Sequence, residues 1–534
     1  MNSSWKRLTK IHKKRKPAPH YIETAIHSNL QKISEHLDEN VKNIKESLGN
    51  SSDLEIREFK TGKPSLHKVA IVYINGLADK NIISNFIIER LLGNVHDDKN
   101  VNPQSPSELF TYIKENILAV GTVEDITKWD KLLLNLLSGK TILLIDDWNH
   151  AVSCSAEGGE LRSIGEPTVE PAVRGPKESF VEALITNTAM VRNRIKSPNL
   201  WIETVKIGTI TQTDVAIMYV KGIVNDKLLT EVKERLGKME VEELGGSNTI
   251  EEWIMDDTYT PWPTIFVTER PDVVAGHLLE GRITIFVDGT PNPIILPATW
   301  ISFFQTAEDY YLRFTIASFL RFLRVGAFIM TLLGPALFIA FTAFHAELIP
   351  TPLLISLTAQ RAGIPFPIFI EALLMEITFE VLREAGVRMP RPIGQAVSIV
   401  GALVLGEAAV AAGIVSSAMV IVVAGTAIAS FTIPHHQMMD AVRLLRFLMM
   451  VVAASFGLYG VGLALIVLVA HTCSVRSFGI PYLTPFAPLI FADWKDAFLR
   501  LPFPQLTIRP RLMNQMNRKR SGNSENRGPK SREN

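Results

Sequence analysis

Cysteine is nearly missing from this chain. Two occur in 534 residues, Cys154 and Cys473, in regions of unlike composition. Neither a disulfide framework nor a thiolate metal site can be built from them, and both read as buried thiols. The signatures of common enzymes are missing too. There is no GxxxxGK[ST] phosphate loop, dinucleotide fingerprint, zincin motif or Ser/His/Asp arrangement. The expectation is a protein that is no enzyme, with no catalytic residue, metal or cofactor. A net charge of +1 gives no reason to expect a nucleic-acid partner. Residues 5–16 are basic but no apolar core follows, so no secretory signal opens the chain. No period of about 20–50 residues marks a solenoid.

The most telling absence is of formal charge. Phe447 to Val475 holds no Asp, Glu, Lys or Arg over 29 residues, and Val325 to Ala346 and Ala408 to Pro434 are also free of charge. A bilayer core needs roughly 20 apolar residues per helix. Three such runs in one half of a chain predict a membrane region. The whole-chain averages, 20% charged and a mean hydropathy of +0.17, hide this split.

What is present divides accordingly. Residues 1–50 form a basic leader and a long helix, Tyr21–Gly49, whose apolar stripe is Leu30, Ile33, Leu37, Val41, Ile44 and Leu48. Strand-like and helix-like runs alternate through 51–165 and again through 166–299, two α/β subdomains expected in the cytoplasm. The Gly/Pro/Ser-rich stretch from Ala151 to Gly175 links them. A helix is expected over Glu178–Arg194. Residues 300–324 mix Phe303, Phe304, Tyr310 and Tyr311 with Arg313, Arg321 and Arg324, which predicts an interfacial amphipathic helix.

Residues 325–495 are expected to be a transmembrane bundle of five or six spans: Val325–Phe344, Phe366–Leu382, Ile393–Gly413, Ile414–Phe431 and Phe447–His471. The Pro-rich run Phe478 to Ala492 is too short to count clearly. Arginine clusters at 313–324, 383–391 and 443–446 all read as cytoplasmic. Residues 496–534 form a basic polar tail, expected inside and partly disordered. The fold class is thus an α/β soluble N-terminal region of two subdomains followed by an all-α transmembrane bundle.

Candidate functional residues lie mostly in the second span. Glu376, Glu380 and Glu384 are four apart and stack on one helical face, while Glu371 projects elsewhere. A carboxylate at bilayer depth costs about 2.5–3.5 kcal/mol on insertion scales, so lipid cannot be its neighbour. Either the acids line a cation pathway, or they pair with Arg361 and Arg383. Glu371, Glu376, Glu380 and Glu407 are the pore-lining candidates. Ser398, Ala402 and Gly406 make a small-residue face suited to close helix contact. Arg174 and Lys177, opening a predicted helix, are candidate anion ligands. Asp146-Asp147 ends a predicted strand, and His435-His436 reads as a solvated loop pair.

Three segments carry a resemblance. RGPKESFVEALITNTAMVRNRI (Arg174 to Ile195), TERPDVVAGHLLEGRITIFVDGTPNPIILPATWISFFQTAEDYY (Thr268 to Tyr311) and PFPIFIEALLMEITFEVLREAGVRMPRPIGQAVSIVGALVLGEAAV (Pro365 to Val410) resemble the A subunit of GerA-type spore germinant receptors. The likeness runs from roughly Val69 to Pro504 and leaves out the first 50 residues and the end of the tail. It implies a multi-pass protein of the bacterial spore inner membrane. It implies two partners, a transporter-like B subunit that senses nutrients and a lipoprotein C subunit. It further implies self-association, as a pentamer, into a ligand-gated monovalent cation channel. A secondary transporter using intramembrane carboxylates and a non-conducting scaffold are the alternatives. The resemblance hands over no catalytic residues.

Overall fold

A computed structural model describes residues 32–61, 67–92, 105–118, 120–158, 165–389, 406–513 and 519–520. Of the predicted first helix, the described part is α1 (Leu37–Ser47). Leu37, Val41, Ile44 and Leu48 of its stripe are buried against a five-stranded sheet. That sheet holds β1 (Leu54–Thr61), β2 (His67–Ile74), β3 (Val123–Ile126), β4 (Thr141–Ile145) and β5 (Ala151–Cys154). Between β2 and β3 run α2 (Lys80–Ile82), continued by a π turn, and α3 (Pro106–Tyr112). Between β3 and β4 runs α4 (Trp129–Leu136). The continuous apolar runs of β2 and β4 are buried on both faces, as helical layers on each side require.

The second subdomain repeats this plan. Helix α5 (Leu184–Arg194) precedes β6 (Leu200–Ile207) and β7 (Thr213–Val220). Helices α6 (Asp226–Gly237) and α7 (Ser247–Ile254) follow, then β8 (Phe266–Val267), α8 (Pro271–Glu280), β9 (Ile283–Val287) and β10 (Ile294–Leu296). The strand orders are β1-β2-β4-β5-β3 and β6-β7-β9-β10-β8, both wholly antiparallel. Among the described residues, each unit has one helix before its first strand, two between the second and third, and one between the third and fourth. The repeat is longer than any solenoid period, and the residues at matching positions differ, so sequence periodicity does not reveal it.

The units meet edge to edge. Ser52 N donates to Ile202 O at 3.0 Å, and Ile202 N donates to Ser51 Oγ at 3.2 Å. Buried Arg192 forms an ion pair with Asp53. Gly49, at φ 65°, lies so close to Trp201 that a Cβ would fall 2.0 Å from the indole. Only glycine permits that approach.

Helix α5 begins at Leu184, not at Glu178. The Asn187 side chain bonds Val181 N at 2.8 Å and Val181 O at 2.6 Å, holding the lead-in irregular. Pro271 in its first turn and the left-handed Gly281 just past its end bound α8.

The expected interfacial helix over 300–324 is not one element. Two 3-10 turns, Trp300–Phe304 and Ala307–Tyr310, precede α9 (Phe314–Phe344). A Thr306/Asp309 capping box ends the chain's approach to the second turn. Phe303 and Phe304 enter the protein core. Arg321 and Arg324 are buried on Asp309, at 2.9 Å each, and do not reach outward to a headgroup zone.

Then come α10 (Thr351–Arg361), α11 (Ile368–Arg388), α12 (Gly406–Ala411), α13 (Ser417–Phe431) and α14 (His436–Ser474). By length and composition α9 and α14 are apolar enough to cross a membrane. Most of the predicted third span lies outside the described residues.

Helix α14, predicted as one crossing, folds back on itself. A straight helix of its 39 residues would be about 58 Å long. Yet Gln437, at its start, bonds Glu251, and His471, near its end, lies 3.1 Å from Thr260. Both partners belong to one segment of the second unit. The reversal is at Gly457, φ 61° and ψ −146°, packed on Phe344 and His345 at the far end of α9. A Cβ there would lie 2.9 Å from both neighbours, so the turn demands glycine. The chain beyond returns to the soluble side. Trp300 N donates to Tyr482 O at 2.8 Å, and the Arg509 guanidinium donates to Leu279 O at 2.7 Å. The Pro-rich run from Phe478 to Ala492 contains no helix, and its start packs on the second unit, Gly479 N donating to Asp256 and Phe478 lying under the Arg235 guanidinium.

Candidate functional site

Helix α11 starts after Pro367 and runs from the far end of the bundle back toward the soluble units. Near its start Glu371 is buried. It accepts from Arg361 Nε at 3.1 Å and from Ser416 N, the cap of α13, at 3.0 Å. This is the Arg361 pairing anticipated from the sequence. Further along, Glu376 and Glu380 share one face, as their spacing predicts, and that face meets α14.

Arg446 Nη2 lies 2.8 Å from Glu376 Oε2 and 3.0 Å from Glu380 Oε1. Arg443 forms a second ion pair with Glu380, its Nε 3.0 Å from Oε1. Glu376 is fully buried, yet neither of its oxygens makes a hydrogen bond among the described residues; the Arg446 contact is close but poorly aligned. Arg446 Nε is likewise without a partner there. Asp440 accepts from Arg443 at 2.8 Å and lies 3.6 Å from Arg383. Glu384, third on the predicted face, turns outward and pairs with exposed Arg388.

Glu371, Glu376 and Glu380 therefore meet arginines of the same chain, and Glu380 also lines an open cavity with Glu384, Asp440 and Arg443. Arg383 is a partner of Asp440 rather than of the acids on its own helix. Arg443 and Arg446 are what sequence reasoning missed. They serve there only as orientation marks, although a spacing of three already places both on one helical face.

The remaining candidates scatter. Glu407 is exposed on α12, and Gly406 is buried near Val420. Ser398 and Ala402 lie outside the described residues. Arg174 and Lys177 do not open a helix, because α5 starts later; Lys177 pairs with Glu166 at the surface. The anion-site geometry is thus not formed. Asp146 instead caps α1, accepting from Leu37 N at 3.0 Å. Cys154 is buried as expected, its thiol pushed up to about 12 by desolvation, but Cys473 is exposed.

Two further charge clusters join the second unit to the helices. In one, Asp309 holds Arg321 and Arg324, and Asp496 from the tail adds a contact to Arg321 at 3.0 Å. Burial opposes ionisation of Asp309, but Arg324 and Arg321 hold it below the usual carboxylate range. Burial wins at Asp496 and raises it. In the other, His435 is buried, not solvated. Its Nδ1 lies 3.2 Å from Glu170 and its Nε2 3.1 Å from Gln305 O. Glu170 is held low against the cost of burial, chiefly by His435 and Thr268. His436 beside it is exposed.

The core of the second α/β unit runs without a break into long apolar helices, and those helices enclose paired charges. A folded α/β head joined to two helices long and apolar enough to cross a membrane points to membrane association. The Bacillus/Clostridium GerA spore germination protein family matches residues 42–512, and the chain belongs to that family. It is 47% identical over 497 residues to spore germination protein KA of Bacillus subtilis (strain 168), covering 93% of this chain and 90% of that protein. Spore germination protein GerLA of Bacillus cereus is 36% identical over 91% of this chain and 97% of its own. The crystal structure of the N-terminal domain of the A subunit of the Bacillus megaterium spore germinant receptor GerK3 is also similar. It shows 40% identity and a TM-score of 0.40, covering 51% of this chain and 98% of that one. The family is one of germination proteins, not a known enzyme family, and membership supports a germinant-receptor role.

Proposed function

We propose that this chain is the multi-pass membrane subunit of a nutrient-responsive germinant receptor in the spore inner membrane. It self-associates, as a pentamer, and passes monovalent cations when a partner subunit senses nutrient. A transporter-like B subunit and a lipoprotein C subunit complete the receptor. The soluble units and the tail lie together on the cytoplasmic side. In this reading α9, α11, α13 and the two arms of α14 are crossings, and the span expected from the sequence over Ile393–Gly413, most of it outside the described residues, would make six, an even number that agrees with the basic tail.

The observation that carries the reading is the Glu376–Glu380–Arg443–Arg446 cluster inside an apolar bundle. Burying such a set costs several kcal/mol per ion, and an apolar substitute is often as stable. Stability alone does not call for it. The scaffold reading draws on one observation too: every acid of the predicted face that is buried is paired within the chain. Proteoliposomes holding the whole receptor separate the two. Nutrient is expected to release potassium down its gradient without stoichiometric nutrient uptake. An assembled, nutrient-binding complex that releases none would leave the scaffold.

A further inference from the structure

We infer that Glu376 and Glu380 form a monovalent-cation site whose place is taken, in this state, by the tethered guanidinium groups of Arg446 and Arg443. This inference rests on the conducting reading. Three features point to it.

The first is under-coordination. A buried carboxylate ordinarily collects two or more hydrogen bonds, since leaving one unmade is costly. Both Glu376 oxygens lack one among the described residues, and so does Arg446 Nε. The pair is held by charge more than by shape, so a small cation could replace the guanidinium without breaking aligned bonds. Glu371 in the same helix is the contrast. It has two aligned donors, one of them a helix-cap N–H, and reads as structural.

The second is charge balance. Glu376, Glu380 and Asp440 face Arg383, Arg443 and Arg446. Three against three leaves the cluster neutral, with no residual attraction for a cation. Withdrawing one guanidinium leaves a net charge of −1 carried by oxygens alone, the ligand set that hard monovalent cations prefer.

The third is mechanical. Arg443 and Arg446 ride on the first arm of α14, two to three turns from His435. His435 is clamped by Glu170 and Gln305, and Gln437 by Glu251. Glu170 is itself fixed to the second unit through Thr268 at 2.6 Å. The acids ride on α11, whose main contacts are with α9, α13 and α14. A shift of the second unit relative to the bundle therefore acts on the arginines directly, and on the acids only through neighbouring helices.

The test uses the complete receptor in vesicles loaded with potassium chloride, reading potassium and chloride efflux with and without nutrient. Arg446→Gln is expected to raise nutrient-independent potassium efflux about tenfold or more, the loss of a closed-state bias of that size, with chloride retained. Adding Glu376→Gln to it should return basal efflux toward wild type, because the site loses its charge. Arg443→Gln, at a more accessible position, keeps the test alive if the Arg446 variant does not assemble, and should leak less. Wild-type basal efflux in both arginine variants overturns the assignment. So does a leak that passes chloride equally, which would report damaged packing. If the wild-type receptor releases no potassium with nutrient, the conducting reading itself fails and takes this inference with it.

Discussion

The two soluble units have the same strand order and the same helix order, but different neighbours on one face. In the first, α1 and α4 close over β2 and β4, and the core goes no further than Ala189, lent by α5: Leu37, Ile44, Trp129, Leu132 and Leu136 pack almost wholly within their own unit. In the second, the matching face under α5 and α8 does not close. Val191, Val274, Phe266 and Phe286 continue into Phe303, Phe304 and Phe328, and onward to the two long apolar helices. One topology is thus a self-contained module in one copy and a docking platform in the other. What distinguishes them is a chain of aromatic residues at the seam. The charge clusters follow the same division. Those of the first unit lie at its surface, as with Lys114 and Asp125; the second has such surface pairs too, as with Lys206 and Asp214, but adds buried ones where it meets the helices.

The largest test of this difference is Asp309→Asn. It leaves Arg321 and Arg324 buried without their counter-charge and should cost about 3–5 kcal/mol. Asp53→Asn, which strips Arg192 at the seam between the units, is expected to cost less because Asp53 is partly reached by water. Thermal unfolding of the purified full chain in detergent reads both. An Asp309→Asn protein as stable as wild type would mean that the second unit is not anchored through this cluster.

Much of this contrast was open to sequence reasoning. The buried strands, the apolar stripe of α1 and the bounds of α8 follow from local pattern alone. The stacking of Glu376 and Glu380 follows from a spacing of four. What pattern could not supply was pairing across long separations. Nothing local to Arg446 says that it meets Glu376, and nothing local to His435 says that Glu170 lies opposite. The reversal in α14 was hidden for another reason. Gly457 is one of several glycines in an apolar run, and hydropathy averages over it. Only the packing of Phe344 and His345 against that glycine reveals a turn. The burial of Arg321 likewise draws on Asp496, which the chain reaches only after passing through all the helices.

A smaller effect sharpens the pH behaviour of the docking platform. Glu251 on α7 is pushed up to about 7 by burial, with Glu252 adding to the shift, from an ordinary 4.5. Its folded form holds a proton that the unfolded chain releases. The stability it contributes is therefore present below about pH 4.5 and lost as pH rises toward 7, by up to about 3 kcal/mol. Glu280 behaves oppositely. His277 and Arg282 outweigh its burial and hold it at about 2, so its contribution is present above pH 4.5 and lost on acidification toward 2. Glu251→Gln should flatten the loss between pH 5 and 7 and leave the acid limb alone. Melting temperatures taken across that range decide it; an unchanged alkaline limb would remove Glu251 as its source.

The smallest expected effect asks whether the two units are energetically alike where they are topologically alike. In each, the helix after the second strand is capped by a side chain. Asp79 accepts from Asn81 N at 2.8 Å, and Asn225 accepts from Lys227 N at 3.1 Å. Asp79→Ala and Asn225→Ala each remove a cap worth about 1 kcal/mol. Equal local costs need not give equal consequences. The first unit closes over its own core, so its lost cap should appear as local opening, seen by hydrogen exchange in α2 alone. The second unit shares its core with α9 and α14, so its lost cap should lower protection in α6 while the shared core holds the sheet behind it. Exchange spreading from Asn225→Ala into β7 and β9 would show that the platform draws no support from the helices beneath it.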